Sequence, residues 1–316
     1  MTPHATSIPL PILGPWLAQD LSASLPASFL PLVLHSAPDF LAQLAPHVPR
    51  IRALVCTSGG QAIDAALMDQ LPQLELILNL GAGTECVDLA AAQARGIQVL
   101  TGAGVNAVDV AELAIGMMIG MARRMHFADR EVRALQWGAD RKPVRRLAGQ
   151  RVGIAGMGAI GQAIAKRLAT FDMPISYFSR RPLEALPYTH HADLQSLASA
   201  VDFLFLALPG GSATQHLVNA DILRALGPDG YVVNVGRGSV VDEQALAQAL
   251  AAGQIAGAAL DVFEYEPQVP DSLIQSPNTL LQPHRGGFTV EAHEEIIALT
   301  LQRLASLYFQ SSSPIL

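Results

Sequence analysis

Three titratable side chains stand where short apolar runs end in the second half of the chain. Arg237 lies between Gly236 and Gly238, a setting that lets its side chain project from a tight turn. Glu266 follows the apolar run 256–263, which carries Asp261, and Pro267 stops the chain directly after it. His284 follows Pro283 at the end of the run that begins at Thr279. An arginine so placed can hold an anionic substrate through two parallel hydrogen bonds. A histidine can supply or remove a proton, and a carboxylate beside it fixes its tautomer and raises its pKa. Taken singly, each has an ordinary explanation as a surface charge or a structural histidine. Their joint placement along one sheet edge points to chemistry.

The element that must position them is the stretch 151–161. An apolar run leads into Gly156-x-Gly158-x-x-Gly161, and an Ala-rich segment, 162–171, follows. That order reads as strand, glycine turn and helix. The first glycine permits the tight turn, the second lets the backbone approach a pyrophosphate, and the third brings helix and strand together. The helix N-terminus is then aimed at the anion. A dinucleotide site is expected at Gly156, Gly158, Ala159, Ile160 and Gly161, with a ligand-free turn as the alternative.

Around this turn, apolar runs at 175–178, 203–207, 231–235, 256–263 and 279–282 alternate with helical stretches. Asp242 is placed to cap a helix that stops at Gly253, and Thr289 to start the last helix. The first hundred residues form a second series, with strands expected at 8–13, 32–35, 52–57, 74–80 and 97–101 and a helix at 64–71. Alternating strands and helices imply mostly parallel sheets, whose ligands sit beyond the carboxyl ends of the strands. The turns at Gly59-Gly60 and Gly81–Gly83 are therefore the contact points this series offers, although each alone reads as an ordinary turn. Asn106 is expected to cap a helix with Asp109 and Glu112 in its first turns. That helix is apolar nearly all round and needs cover on every side, between domains or against a second subunit.

A chain of 316 residues can fill two domains. They are expected at 1–101 with 286–316, and at 102–285. Half of the residues are hydrophobic, but Asp109 and Glu112 interrupt the longest apolar stretch. The uncharged remainder, 113–122, is short of the ~20 residues of a membrane span. Met1-Thr2-Pro3-His4 lacks the basic start and apolar core of a signal peptide. Cys56 and Cys86 have no metal-type spacing and read as buried thiols in a reducing, cytoplasmic compartment. The formal charge of −7 argues against nucleic acid as a partner. Nine of the twenty Lys and Arg residues lie from Arg123 to Arg151, read as a solvated linker face. His190-His191 has no further ligands clustered with it, so no metal is expected.

The chain resembles the D-2-hydroxyacid dehydrogenases over roughly residues 71–289. The resemblance is carried by Leu147-Ala148-Gly149-Gln150-Arg151-Val152-Gly153-Ile154, Asn234-Val235-Gly236-Arg237-Gly238, Ala259-Leu260-Asp261-Val262-Phe263-Glu264-Tyr265-Glu266-Pro267 and Pro283-His284. In look it is nearest to the glyoxylate/hydroxypyruvate reductase branch. The resemblance implies an α/β fold of two domains, a doubly wound Rossmann cofactor domain and a smaller flavodoxin-like substrate domain, with the long helix at a homodimer contact. It implies that Arg237 holds the substrate's carboxylate and keto oxygen. His284 would protonate that oxygen as hydride arrives from the nicotinamide, and Glu266 would pair with His284. Backbone amides at Leu80, Gly81, Ala82 and Gly83 would take the carboxylate. Asp261 would meet the nicotinamide carboxamide, the segment from Leu208 and Pro209 to Thr214 would border the adenosine half, and Val235, Gly236 and Gly286 would complete the cofactor set.

Departures from the family pattern are Arg285-Gly286-Gly287-Phe288 after His284 and Thr84-Glu85 after Gly83. They bear on substrate identity and leave the reaction type alone. Cofactor choice can be read from the residues. A carboxylate about 20 residues past the glycine turn would grip a ribose 2′-hydroxyl, but this chain has Ser179-Arg180-Arg181. Two guanidiniums and a hydroxyl suit a phosphate dianion, so NADP(H) is expected over NAD(H), a basic loop facing water being the alternative. The expected function is NADPH-dependent reduction of a small 2-oxo acid to the D-2-hydroxy acid. Two other readings stay open: a nucleotide-sensing, corepressor-like binding protein, and a reductase of bulkier aryl 2-oxo acids.

Overall fold

Short runs of Leu, Ile, Val and Ala, buried on both faces, form two parallel sheets in the computed structural model of the chain. Residues 7–14, 16–34, 40–57, 61–138 and 143–309 are described; the Gly59-Gly60 turn and Met1-Thr2-Pro3-His4 lie outside them. The first sheet contains β1 (Ile8–Leu13), β2 (Phe29–Leu34), β3 (Ala53–Cys56), β4 (Leu76–Asn79) and β5 (Gln98–Thr101). Their order is β2-β1-β3-β4-β5, every pair parallel, which is the flavodoxin-like order.

The second sheet contains β6 (Val152–Ala155), β7 (Ile175–Phe178), β8 (Thr189–His191), β9 (Phe203–Leu206), β10 (Tyr231–Asn234), β11 (Gly257–Leu260) and β12 (Thr279–Leu281). Its order is β12-β11-β10-β9-β6-β7-β8, again parallel throughout. The chain winds outward from β6 to β8, then crosses back over β6 to start the other half at β9. This is the doubly wound sheet expected from the sequence. β6, β9 and β11 are buried at every residue, as parallel strands covered by helices on both faces must be.

The chain divides into two compact units, 1–105 with 289–316, and 106–288. The expected boundaries stood a few residues earlier. Hydrogen bonds explain the difference. Gly102 N–H donates to the carbonyls of Asn79 (3.0 Å) and Gly81 (2.9 Å), which keeps the following turn with the first unit. Gly286 N–H donates to Asp261, and Gly287 packs against the Asn106 side chain, which keeps 286–288 with the second.

Asn106 does not cap the helix Ala107–Ala122 with its side chain. Its side chain packs closely against Gly287, where a Cβ would fall 2.3 Å from Nδ2. Most of that helix's apolar surface is covered inside its own unit. Val110, Ala114, Met117, Met118 and Met121 share one core with Ile154, Ile164, Val233 and Ala259. Among the described residues no helix is long and apolar enough to cross a membrane.

Candidate active site

The glycine turn sits at the switch point of the second sheet. Gly156 follows β6 with φ +96°, a region that favours glycine, and a Cβ there would fall 2.6 Å from the Ala207 carbonyl oxygen. At Gly161 a Cβ would meet the Gly156 carbonyl at 2.0 Å, so helix and strand are in backbone contact. Gly158 is the opposite case: nothing lies within 4 Å of its Cβ position. The helix Ala159–Leu168 starts there without a side-chain cap, presenting its first N–H groups and the positive end of its dipole. An open glycine and an uncapped helix start at the point of strand reversal fit a dinucleotide pyrophosphate.

Neighbouring strand ends lie along the same edge of the sheet. Gly236 abuts the Leu208 backbone, where a Cβ would fall 2.6 Å from the Leu208 carbonyl oxygen. Thr214 closes the loop after β9 by donating from Oγ1 to the Pro209 carbonyl (2.7 Å). At the end of β7, Arg180 and Arg181 are exposed. The Ser179 hydroxyl donates to the Arg181 carbonyl (2.6 Å), so it must rotate before it can donate to a ligand.

Arg237 is placed by a buried side chain that the sequence reading passed over. Asn234, the last residue of β10, accepts from Gly236 N–H at Oδ1 (3.1 Å) and donates from Nδ2 to the Arg237 carbonyl (3.0 Å). Gly238 then lets the turn press on the next loop, since a Cβ there would lie 1.8 Å from the Phe263 carbonyl carbon. That loop presents Glu266, whose Oε1 accepts from Phe263 N–H (3.0 Å) and whose Oε2 lies 2.7 Å from His284 Nδ1. The structure therefore brings Glu266 and His284 together, from the ends of the adjacent strands β11 and β12.

Asp261, which is 1% exposed, underpins the His284 turn. Its backbone carbonyl accepts from His284 N–H (2.8 Å), and its carboxylate oxygens accept from Arg285 N–H (2.6 Å) and Gly286 N–H (2.8 Å). Burial pushes its carboxyl above the usual range, with those two amides pulling the other way. The hydrogen bond to Glu266 raises the His284 pKa, reinforced by the charges of Glu266 and Asp261 and opposed by burial and Arg237. For Glu266, burial acts upward, but the bonds from His284 and Phe263 and the charges of His284 and Arg237 outweigh it and hold the carboxyl low.

Further supports had no signal in the sequence beyond their residue types. Glu243, buried in the first turn of the helix Glu243–Ala251, accepts from Glu264 N–H (2.9 Å) and so ties down the loop carrying Glu266. The Glu264 carboxylate pairs with His216 Nε2 (2.8 Å). In the first unit, Asn79 at the end of β4 does for its loop what Asn234 does after β10. It accepts from Gly81 N–H (3.1 Å) and donates to the Gly83 carbonyl, pinning Leu80, Gly81, Ala82 and Gly83. Of the departures, Arg285 lies over the half-exposed Phe288 ring, 5.0 Å from its centroid. His190 and His191 are engaged separately, by the Ser179 carbonyl (3.0 Å) and Ser196 Oγ (3.2 Å). Among the described residues no group of three or more His, Cys, Asp or Glu is placed to hold a metal.

Residues 115–286 match the family described as D-isomer specific 2-hydroxyacid dehydrogenase, NAD binding domain. The chain is 41% identical to hydroxyphenylpyruvate reductase of Plectranthus scutellarioides, over 88% of this chain and 87% of that one. Its fold is similar to that of a 2-hydroxyacid dehydrogenase from Ketogulonicigenium vulgare, with a TM-score of 0.89 at 40% identity and 98% of each chain covered. It is also similar to an NADPH-dependent glyoxylate/hydroxypyruvate reductase from Sinorhizobium meliloti, solved with NADP and malonate (TM-score 0.88, 36% identity, 98% and 96% covered). The chain thus belongs to the D-isomer-specific 2-hydroxyacid dehydrogenase family of NAD(P)-dependent 2-oxo acid reductases.

Proposed function

We propose that the protein reduces a small 2-oxo acid of the glyoxylate or hydroxypyruvate kind to the D-2-hydroxy acid, with NADPH preferred and His284 as the acid. The observation that carries this reading is the 2.7 Å pair of His284 Nδ1 and Glu266 Oε2, on a turn fixed by Asp261, in the sheet that bears the glycine turn. When bound, the nicotinamide cofactor supplies hydride to the carbonyl carbon. Arg237 holds the substrate carboxylate and draws electron density toward the keto oxygen. With Nδ1 committed to Glu266, Nε2 is the nitrogen that delivers a proton to that oxygen. The neutral imidazole then regains its proton from water, to which the half-exposed ring has access. The amides of Leu80–Gly83 are assigned to carboxylate binding in the same reading, supported by the fixed geometry that Asn79 gives them.

The test is NADPH oxidation with glyoxylate, hydroxypyruvate, phenylpyruvate and larger 2-oxo acids. Highest kcat/KM with the two small acids supports the proposal. Highest kcat/KM with the aryl acid supports the second reading, for which the Plectranthus relative speaks. A homodimer belongs to the proposal as well. Leu135 and Trp137, 92% and 82% exposed just beyond the helix Met125–Arg133, supply apolar surface for a second copy to cover.

The pH dependence has a definite sign. The imidazolium is the reactive form in reduction and its pKa is raised, so the reductive rate holds to higher pH than for an ordinary histidine. It falls as pH rises through the raised pKa, and oxidation of the hydroxy acid gains over the same range. Glu266→Gln removes the largest raising influence, so the inflection in kcat/KM for reduction moves to lower pH. An unmoved inflection, with hydride transfer limiting, would show that another group titrates.

Cofactor preference rests on the exposed Arg180 and Arg181 and on Ser179, where a carboxylate would grip the 2′-hydroxyl. The Arg180→Ala/Arg181→Ala double variant is expected to raise KM for NADPH by about 10- to 100-fold, the value of lost charge-assisted hydrogen bonds. KM for NADH should stay near wild type. Equal kcat/KM for NADPH and NADH in the unmodified enzyme would sink the preference.

A further inference from the structure

His216, with φ +47°, joins three of the loops at the carboxyl edge of the second sheet. It lies two residues beyond Thr214, in the loop after β9. Its N–H donates to the carbonyl of Ser239 (2.8 Å), two residues beyond Arg237. Its Nε2 donates to Oε1 of Glu264 (2.8 Å), two residues before Glu266. Between these contacts Gly238 presses on the Glu264 main chain, where a Cβ would fall 2.3 Å from the nitrogen. One residue therefore ties the loops that carry Arg237 and Glu266 to each other and to the loop after β9.

Polar ties, rather than packing, fix the loop that presents Glu266. Tyr265 is 68% exposed and Glu266 is exposed beside it. Residue 264 is held at both ends: its N–H goes to Glu243 Oε1 (2.9 Å), and its carboxylate goes to His216. Gln215 Nε2, on an exposed side chain, donates to the same carboxylate oxygen at 3.2 Å. The arrangement crowds the carboxylates of Glu243, Glu264 and Glu266. Burial pushes the Glu243 carboxyl up, and the charges of Glu264 and Glu266 act the same way; the Glu264 amide and His216 oppose them. His216 is thus the side chain that lets Glu264 lie against Glu243. Without the imidazole, repulsion from Glu243 moves residue 264, and Glu266 moves with it.

We propose that the His216 side chain is a positioning residue, which through Glu264 holds Glu266 in place against His284 and so sets the rate of proton delivery to the 2-oxo acid. This rests on the reading of Glu266 and His284 as the acid pair. A displacement of about 1 Å in such a pair can lower turnover on the order of a hundredfold.

Two substitutions separate the side-chain bond from the backbone. Glutamine carries its Nε2 as many bonds from Cβ as histidine does and can donate to Glu264, whereas asparagine ends a bond short. Asparagine is the better residue for a positive φ. His216→Asn is expected to lower kcat for 2-oxo acid reduction about tenfold or more. NADPH affinity should be unchanged, because Thr214 closes the loop after β9 through its own bonds. His216→Gln should recover most of the loss. A role confined to the backbone ranks the two variants the other way, and that ranking overturns the proposal.

A second readout needs no turnover. The His284 imidazole is titrated by NMR in enzyme carrying isotope-labelled histidine, its signal identified by its loss in His284→Asn. Glu266 raises the His284 pKa through its hydrogen bond and its charge, Asp261 adds to this, and burial and Arg237 oppose it. His216→Asn alters none of these groups, so a shifted midpoint reports movement of Glu266. The midpoint is expected at lower pH in His216→Asn, and near wild type in His216→Gln. Glu264→Ala breaks the same bond without touching residue 216 and should shift it in the same direction. Glu266→Gln should lower the midpoint by itself, and adding His216→Asn to it should bring no further change. An unmoved midpoint in folded His216→Asn and Glu264→Ala, or additive shifts in the double variant, overturns the proposal. If Glu266→Gln leaves the midpoint in place, the acid-pair reading fails and the role of His216 with it. If Glu266→Gln lowers it and the other two variants do not, only the role of His216 is refuted.

Discussion

Replacing His284 with alanine is expected to lower kcat for 2-oxo acid reduction by about 10²- to 10⁴-fold, the range for loss of a general acid. NADPH affinity should stay within about threefold, because the imidazole makes no part of the glycine turn that receives the pyrophosphate. The loss should be chemical. The contacts that hold the turn run through main chain: His284 N–H to the Asp261 carbonyl, and the Arg285 and Gly286 amides to the Asp261 carboxylate. Glu266 keeps its bond from Phe263 N–H when the imidazole is gone. His284 has φ +54°, strained for any residue with a Cβ, so alanine adds little new strain there. His284→Asn is the companion variant, since asparagine tolerates that region best and cannot act as an acid. Steady-state NADPH oxidation, cofactor titration by fluorescence and thermal unfolding together give the answer. A kcat within tenfold of wild type, in either folded variant, removes His284 as the acid.

The sequence makes the frame legible because parallel strands are buried on both faces and end in glycine. β6, β9, β10 and β11 appear as uninterrupted apolar runs, and Gly156, Gly236 and Pro283-His284 mark where they stop. The strand order, which the structure supplies, makes neighbours of the ends of β11 and β12 and brings together Glu266 and His284, a pair the family resemblance had implied. Polar groups with distant main-chain partners are the illegible part. Asn79, Asn234 and Glu243 are buried acceptors or donors that fix loops, and nothing in their neighbours announces it. β8 is three residues, Thr189–His191, too short and polar to show a period. Short helices such as Ala18–Ser24 and Leu194–Ala200 lack the length over which a helical repeat becomes visible. Asn106 shows the converse failure. A good capping residue makes no side-chain cap bond, and its side chain lies against Gly287, far away in sequence.

Arg237→Gln is expected to lower kcat/KM for the 2-oxo acid by about 10²- to 10³-fold, the loss of two charge-assisted hydrogen bonds partly replaced by water. Arg237→Lys should recover only part of this, because an ammonium keeps the charge and lacks the planar fork that meets both carboxylate oxygens. When the side chain changes, the turn loses the bond from Arg237 Nη1 to the Gly236 carbonyl (2.9 Å) but keeps two supports, Asn234 Nδ2 on the Arg237 carbonyl and Gly238 against Phe263. Both variants should therefore fold. The pair also separates charge from geometry through the titration of His284. The Arg237 charge works against the imidazolium, so removing it raises the His284 pKa further. In Arg237→Gln the weakened reduction should persist to higher pH than in wild type, opposite in direction to the shift in Glu266→Gln. Arg237→Lys should leave the inflection in place while still losing affinity. Should Arg237→Gln lose activity without moving the inflection upward, Arg237 would be acting away from the His284–Glu266 pair, and the assignment of one substrate to all three residues would fail.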